Sequence, residues 1–202
     1  IVATPIYHHP TADFLWSLLH LDGRDGFVMT KGVMLEVGRR VLVSAALGDP
    51  QTTHILMVDA DISFPPDALR RLLAHNEPIV GGLYCARQPP YVPIVFGPGA
   101  MDAVRNVLQF PFLDPPRIST HVGALPCGFM LVDRHVFETI DLKYGPARWF
   151  DVDWPSVEPD LSFCYRAAKC GFKILCDPTV ELKHMAEVAL DLRTGTVLRS
   201  LP

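Results

Sequence analysis
The chain is predicted to be a single α/β domain with a central mixed, mainly parallel sheet flanked by helices. Three observations predict it. Short apolar runs alternate with segments of helical periodicity as far as Tyr84, the order that right-handed crossovers onto a mostly parallel sheet require. The 202 residues, 49% hydrophobic and 20% charged, suit one globular core with at most a small appendage. The most apolar run, HILMVDA (54–60), carries Asp59 next to its end and is followed at once by Asp61, and ligands of open parallel sheets bind beyond the carboxyl ends of the strands.

Each element follows from its own signals. IVAT (1–4) reads as a buried strand ended by Pro5. In TADFLWSLLHL (11–21), Phe14, Leu15, Leu18 and Leu19 recur at helical spacing behind Thr11 as N-cap. Gly23 and Gly26 punctuate, and FVMT (27–30) is a second strand. MLEVGRRVLVSAAL (34–47) is a helix closed by GDP. After the strand HILMVDA, Pro65 and Pro66 open the helix DALRRLLAH (67–75), with Leu69, Leu72 and Leu73 on one face and Asn76 as its stop. PIVGGLY (78–84) is the next strand. The proline-crowded stretch 86–120 is expected to form loops and short strands over one sheet edge. GFMLV (128–132) is a strand, DRHVFETI (133–140) a short helix capped by Asp133, LSFCYRAAKC (161–170) a helix stopped by Gly171, and FKILC (172–176) a last strand. Residues 145–160 are irregular, and the weakly patterned segment after residue 186 is read as an extended or mobile tail.

Composition excludes several classes of function. A net charge of −4 offers no broad basic field, which argues against generic nucleic-acid binding. The five cysteines, Cys85, Cys127, Cys164, Cys170 and Cys176, are odd in number and contain no C-x-x-C pair. Free thiols in a reducing compartment fit that pattern better than a disulfide framework or a zinc site. No apolar run approaches the ~20 residues needed to cross a bilayer. No signal-peptide pattern marks the start, and a cytoplasmic location is the default expectation.

The two aspartates carry the chemistry. Alternate residues of a strand share a face, so Asp59 and Asp61 converge if the strand runs through both. Two anionic oxygen donors there suit a hard divalent cation, which would neutralise a diphosphate. The plainer alternative makes Asp61 a turn cap and Asp59 a solvated strand end. The surrounding motifs favour the first reading. VDADISFPPDALRRLL resembles the metal-binding region of nucleotide-sugar-dependent glycosyltransferases of the GT-A fold, most like family 2. In that family the strand ends in D-x-D, followed by a phenylalanine–proline turn and a helix. IVATPIYHH is similar to the family's first strand and nucleotide-binding loop, and VGRRVLVSAAL to its helix carrying an Arg–Asn pair, with Arg40 standing where asparagine is common. PIVGGLYCAR resembles the strand after the metal motif. LPCGFMLVDRHVFE and WFDVDWPSVEPDLSFCYRAAKCGFKILCDPTVELKH resemble the acceptor side, with a G-F-x-L strand, an E-D-x-x-F-C-like motif and a late histidine. The likeness spans roughly residues 1 to 185, dividing one domain into a nucleotide-sugar half (1–100), an acceptor and catalytic half (101–185) and a tail (186–202).

The resemblance implies roles. Asp61 would ligate manganese or magnesium bridging the donor phosphates, His184 would be a further ligand that tilts the preference to manganese, and Asp59 would contact the ribose or the metal-bound water. Thr4, Pro5, Ala60, Arg39 and Arg87 would border the nucleotide and its diphosphate. Asp160 would be the general base that takes the acceptor's proton in an inverting transfer, while the cation stabilises the departing diphosphate. Pro159 replaces the usual glutamate of the motif, and Glu158 stands one place earlier as its substitute. Read without the family, Asp160 is the N-cap of the helix that follows, Arg39 lies on a solvated helix face and His184 on the surface. Cys127 and Gly128 would line the acceptor pocket, with Trp149, Phe150 and Trp154 as packing or a sugar-stacking platform. His8 and His9 are loop residues near the donor.

The function implied is transfer of a sugar, from a uridine diphosphate sugar in the commonest case, to a hydroxyl acceptor. The acceptor class stays open among glycan, lipid, protein, small molecule and modified DNA base, as does the oligomeric state. Two other classes compete. A nucleotidyltransferase also uses carboxylates and magnesium, but IVATPIYHH lacks the glycine-rich basic loop it needs. A non-catalytic nucleotide-sugar or glycan-binding module is the second.

Overall fold
The computed structural model describes residues 1–102, 107–154 and 157–186, together with the backbone of 189–190 and 197–198. In chain order the elements are β1 (Val2–Ile6), α1 (Ala12–His20), β2 (Phe27–Lys31), α2 (Leu35–Leu47), β3 (His54–Val58), β4 (Ile62–Ser63), α3 (Ala68–Ala74), β5 (Ile79–Gly82), β6 (Ala100–Asp102), β7 (Val107–Gln109), β8 (Thr120–Val122), β9 (Phe129–Asp133), α4 (Arg134–Tyr144), α5 (Pro159–Lys169), β10 (Ile174–Asp177), β11 (Lys183–His184), β12 (Ala189–Leu190) and β13 (Val197–Leu198). A seven-stranded sheet of order β2-β1-β3-β9-β5-β10-β8 forms the centre. Five of its strands run one way, while β9 and β8 run antiparallel to their neighbours. The mixed, mainly parallel sheet is therefore as expected.

Alternation along the strands sorts the core into two layers. Ile55 and Met57 of β3 pack with Leu42, Val43 and Ala46 of α2, and with Phe137 of α4 and Phe163 of α5. Leu56 and Val58 point the other way, to Phe14 and Leu18 of α1 and Leu69 and Leu72 of α3. Covered on both faces, β3 reads as an uninterrupted apolar run. Thr11 caps α1 by accepting from Phe14 N–H, and Asp133 caps α4 by accepting from His135 N–H. Asn76 (φ 52°) and Gly171 (φ 93°) end their helices in the left-handed region.

Several boundaries differ from expectation. Pro5 does not end β1, which runs on to Ile6. Val2 N–H donates to Gly26 O and Ile6 O accepts from Gly32 N–H, so Pro5 turns to the β3 side. Pairing with β3 has ended there at Ala3, and the missing N–H costs no ladder bond. β3 stops at Val58, so the strand does not carry through Asp59 and Asp61. The helix expected from Leu161 begins at Pro159, with Glu158 as N-cap and Asp160 inside the first turn; the N-cap reading of Asp160 is corrected accordingly. Proline at the first helical position explains the shift, since its fixed φ suits that site. In the tail, β12 and β13 pair antiparallel, and the rest of the expected extended segment lies outside the described residues. Of the expected irregular stretch 145–160, residues 155–156 also lie outside them. All five cysteines are free thiols. Among the described residues no helix is long and apolar enough to cross a membrane.

Candidate functional site
The site gathers at the carboxyl end of the parallel strands. β1, β3 and β5 deliver their C-terminal loops to this end. The antiparallel β9 delivers its N-terminal approach, Cys127–Gly128, to the same place, because Phe129 pairs with Val58 and Asp59 N–H donates to Gly128 O at 2.9 Å. After Val58 the chain turns, with Ile62 N–H on Asp59 O, and this turn sends the two carboxylates to different partners. Ala60 O accepts Thr11 N–H at 2.9 Å, tying the turn to the start of α1.

Asp59 faces inward. Its Oδ1 accepts from Arg39 Nη2 at 3.1 Å, while the same guanidinium grips Asp160 through Nε–Oδ1 at 2.7 Å and Nη2–Oδ2 at 3.0 Å. Arg39 is 1% exposed, so the solvated-face alternative does not hold. Burial works against its charge, but Asp160 and Asp59 outweigh that and hold it protonated. Cys127 N–H adds a third bond to Asp160, onto Oδ2 at 2.8 Å. Burial, with the nearby Asp160 and Asp61 carboxylates, raises Asp59 above its ordinary value although Arg39 pulls it down. Among the described residues, Arg39 Nη1 and the hydroxyl of fully buried Thr4 have no hydrogen-bond partner.

Asp61 turns to a different set of partners. Arg87 Nη1 donates to its Oδ2 at 2.8 Å, and His184 Nε2 lies 3.5 Å from that same oxygen. His184 arrives because β11 pairs antiparallel with β4, with His184 opposite Ile62, and Met185 N–H donates to Asp61 O at 2.8 Å. Its Nδ1 sits 2.8 Å from Cys85 O. A carbonyl only accepts, so Nδ1 carries a proton; Nε2 donates toward Asp61 when the ring is charged and presents a lone pair there when the ring is neutral. Burial raises the Asp61 carboxyl, but His184 and Arg87 outweigh it and leave it below its ordinary value.

Between the two carboxylates stands Tyr84, a buried residue with no signal in the sequence. Its hydroxyl accepts from Gly128 N–H at 3.1 Å and its ring meets His184 edge-on at 5.2 Å. A Cβ on Gly128 would lie 2.2 Å from the Tyr84 hydroxyl and 2.7 Å from Asp59 Oδ2, so only glycine fits this close approach. The Cys85 carbonyl and the Cys127 amide also belong to the site through the backbone, invisible to residue-type reasoning.

Of the predicted site residues, buried Asp160 and Arg39 form one cluster with half-buried Asp59, and Asp61, Arg87 and His184 form a second. The expected convergence of Asp59 and Asp61 on one strand face is corrected, because the strand ends before them. Among the described residues no three His, Cys, Asp or Glu side chains are gathered as a metal cage. Glu158 is exposed and makes no capping hydrogen bond. Pro5 is half-buried in β1, and His8 and His9 are exposed. Arg40 reaches Asp151 at 3.7 Å. Trp149 and Phe150 are core residues, 3% and 1% exposed, with Trp149 Nε1–H donating to Phe137 O, which removes both from any sugar-stacking platform. Trp154 is half-buried against Tyr165, with the Arg166 guanidinium 5.4 Å from its ring centre.

This sheet, with its helices on both faces, defines a GT-A-like α/β domain. Two solved structures make the likeness concrete. A197 from STIV aligns over 98% of this chain and 91% of its own, with a TM-score of 0.66 and 12% sequence identity. GalNAc-T7, in its crystal structure with UDP, GalNAc and Mn2+, aligns over 91% of this chain with a TM-score of 0.55 and 13% identity. This chain spans only 43% of that protein. No protein-family model matches the chain, and no curated protein matches it by sequence.

Proposed function
We propose that the protein is a metal-dependent glycosyltransferase, of the family 2 type, that moves a sugar from a nucleotide diphosphate sugar to a hydroxyl acceptor. The Asp61–His184 pair carries this reading. A carboxylate oxygen and an imidazole lone pair meet at the carboxyl end of the sheet, and the imidazole is oriented from behind by the Cys85 carbonyl, as metal-bound histidines are. Two protein donors fit an ion that takes its remaining ligands from phosphates and water, and the nitrogen favours manganese over magnesium. When bound, such a cation offsets the charge that grows on the leaving diphosphate. GalNAc-T7, solved with UDP and Mn2+, supports that choice of donor and ion.

The chain's own residues supply the rest. Arg39 and the Cys127 amide take three of the roughly four lone-pair positions of the Asp160 carboxylate, leaving one on Oδ1. From that position Asp160 accepts the proton of the acceptor hydroxyl as its oxygen bonds to the anomeric carbon and the bond to the diphosphate breaks. Glu158, the exposed N-cap two residues before Asp160, is the auxiliary carboxylate. Asp59 addresses the ribose or a metal-bound water, while Thr4, Pro5 and Ala60 border the nucleotide.

A second reading has one observation in its favour. The Asp160 oxygens are already engaged by Arg39, as in a structural ion pair, which suits a nucleotide-sugar-binding module without a base. Thermal-shift measurements with nucleoside diphosphates and their sugars, each with Mn2+, Mg2+ or chelator, test both. A stabilisation abolished by chelator and followed by transfer or hydrolysis supports the enzyme. Stabilisation with neither reaction supports the module. No shift with any nucleotide, with or without metal, rejects both.

A further inference from the structure
We propose that Arg87 is a resident counter-cation of Asp61, which must release that carboxylate before a divalent ion can bind and which then pairs with the donor diphosphate. This rests on the metal-site reading given above. The observation is one of shared occupancy: the Asp61 oxygen that faces His184 Nε2 is the oxygen that Arg87 Nη1 holds at 2.8 Å. The guanidinium therefore engages the very oxygen that an ion held by the two donors would need.

Release requires little else to change. The Arg87 side chain is 55% exposed, and its base is a closed loop in which Ala86 N–H donates to Val92 O and Tyr91 N–H to Gln88 O, both at 2.9 Å. Rotation of the side chain suffices. An exposed ion pair is weak and screened, so it is readily exchanged for a divalent cation. A guanidinium freed beside a cation-bound diphosphate has an obvious bidentate partner there. The consequence is coupled binding. Metal alone binds against Arg87, metal with diphosphate binds alongside it, and each ligand strengthens the other by the same factor.

Mn2+ titrations followed by the electron paramagnetic resonance of the free ion, with and without UDP, test this on the full chain. R87Q is expected to bind Mn2+ alone about 2- to 5-fold more tightly than wild type, the loss of one exposed competing pair. The same variant is expected to bind UDP in saturating Mn2+ at least about 5-fold more weakly, as a charge-assisted contact is lost. R70Q, which removes an exposed arginine on α3, serves as the control for net charge. R87Q binding Mn2+ no more tightly than R70Q, or binding UDP as wild type does, overturns the role of Arg87 while the metal site stands. If D61N leaves Mn2+ binding unchanged with and without UDP, the metal-site reading fails and takes the inference with it.

Discussion

Replacing Arg39 with methionine removes the guanidinium on which two carboxylates depend while keeping an unbranched apolar stem. Arg39 is 1% exposed and Asp160 8%, and the three bonds of 2.7, 3.0 and 3.1 Å connect α2 to α5 and to the turn after β3. Removing one partner of a buried ion pair costs about 3–5 kcal/mol, because the stranded charge is left without compensation. For a domain of this size, 2–4 °C per kcal/mol translates that into a fall of about 6–20 °C in melting temperature. With an m-value near 2 kcal/mol/M, the urea midpoint falls by about 1.5–2.5 M. The loss depends on pH. Arg39 is what restrains the Asp59 carboxyl, whose affinity for its proton burial and its acidic neighbours already raise. Without Arg39 that affinity rises further, so the deficit is greatest at neutral pH and shrinks as Asp59 takes up its proton on acidification. R39K, which keeps the charge and loses the planar fork, falls between the two. Thermal and urea unfolding at pH 7.5 and 4.5 measure all three proteins. An R39M melting temperature within about 2 °C of wild type at pH 7.5 refutes the argument, and so does a deficit that does not change between the two pH values.

Asp59 and Asp61 should respond to acid in opposite ways. In chelator, D59N is expected to match or exceed wild-type stability at neutral pH, because ionised Asp59 destabilises the fold above its raised pKa and the cost is relieved as pH falls through it. D61N is expected to lose stability at neutral pH, with the gap closing as pH falls below the ordinary carboxylate range, since the lowered pKa of Asp61 favours its ionised form in the fold. Melting curves against pH check both signs. Gly128→Ala should cost about 1–3 kcal/mol from overpacking against the Tyr84 hydroxyl and Asp59; Tyr84→Phe in the same chain should restore part of it, and a silent G128A denies the close approach. Asp160→Asn should preserve Mn2+-dependent donor binding in calorimetry and reduce turnover by about 10²- to 10⁴-fold, whereas near-wild-type turnover excludes Asp160 as base.

Local chemistry made much of this protein legible in the sequence. Two-sided burial left HILMV as an unbroken apolar run, periodicity placed Phe14 and Leu18 on one helix face, and Thr11, Asp133, Asn76 and Gly171 marked their boundaries through short-range backbone bonding. The order of motifs was enough to place an acidic cluster at the carboxyl end of the sheet. Other features depend on contacts between residues far apart in the chain. That β9 inserts antiparallel between β3 and β5 is a matter of pairing, which an apolar strand does not encode by itself. Where the strand stops before Asp59 decided that the two carboxylates part, one to Arg39 and one to Arg87 and His184. Arg39 resembles a surface residue by type and spacing, and Trp149 fits core packing and sugar stacking alike; a buried counter-charge puts the first inside and packing the second. His184 reaches Asp61 only because two-residue strands, β4 and β11, pair across the fold. The sequence alone determined which elements form and at which end of the sheet the acidic residues collect, since those are set by neighbours within a few residues. Which carboxylate meets which cation was decided by the tertiary structure alone, because an ion pair is fixed by distance in space, and only the assembled sheet and helices set that distance.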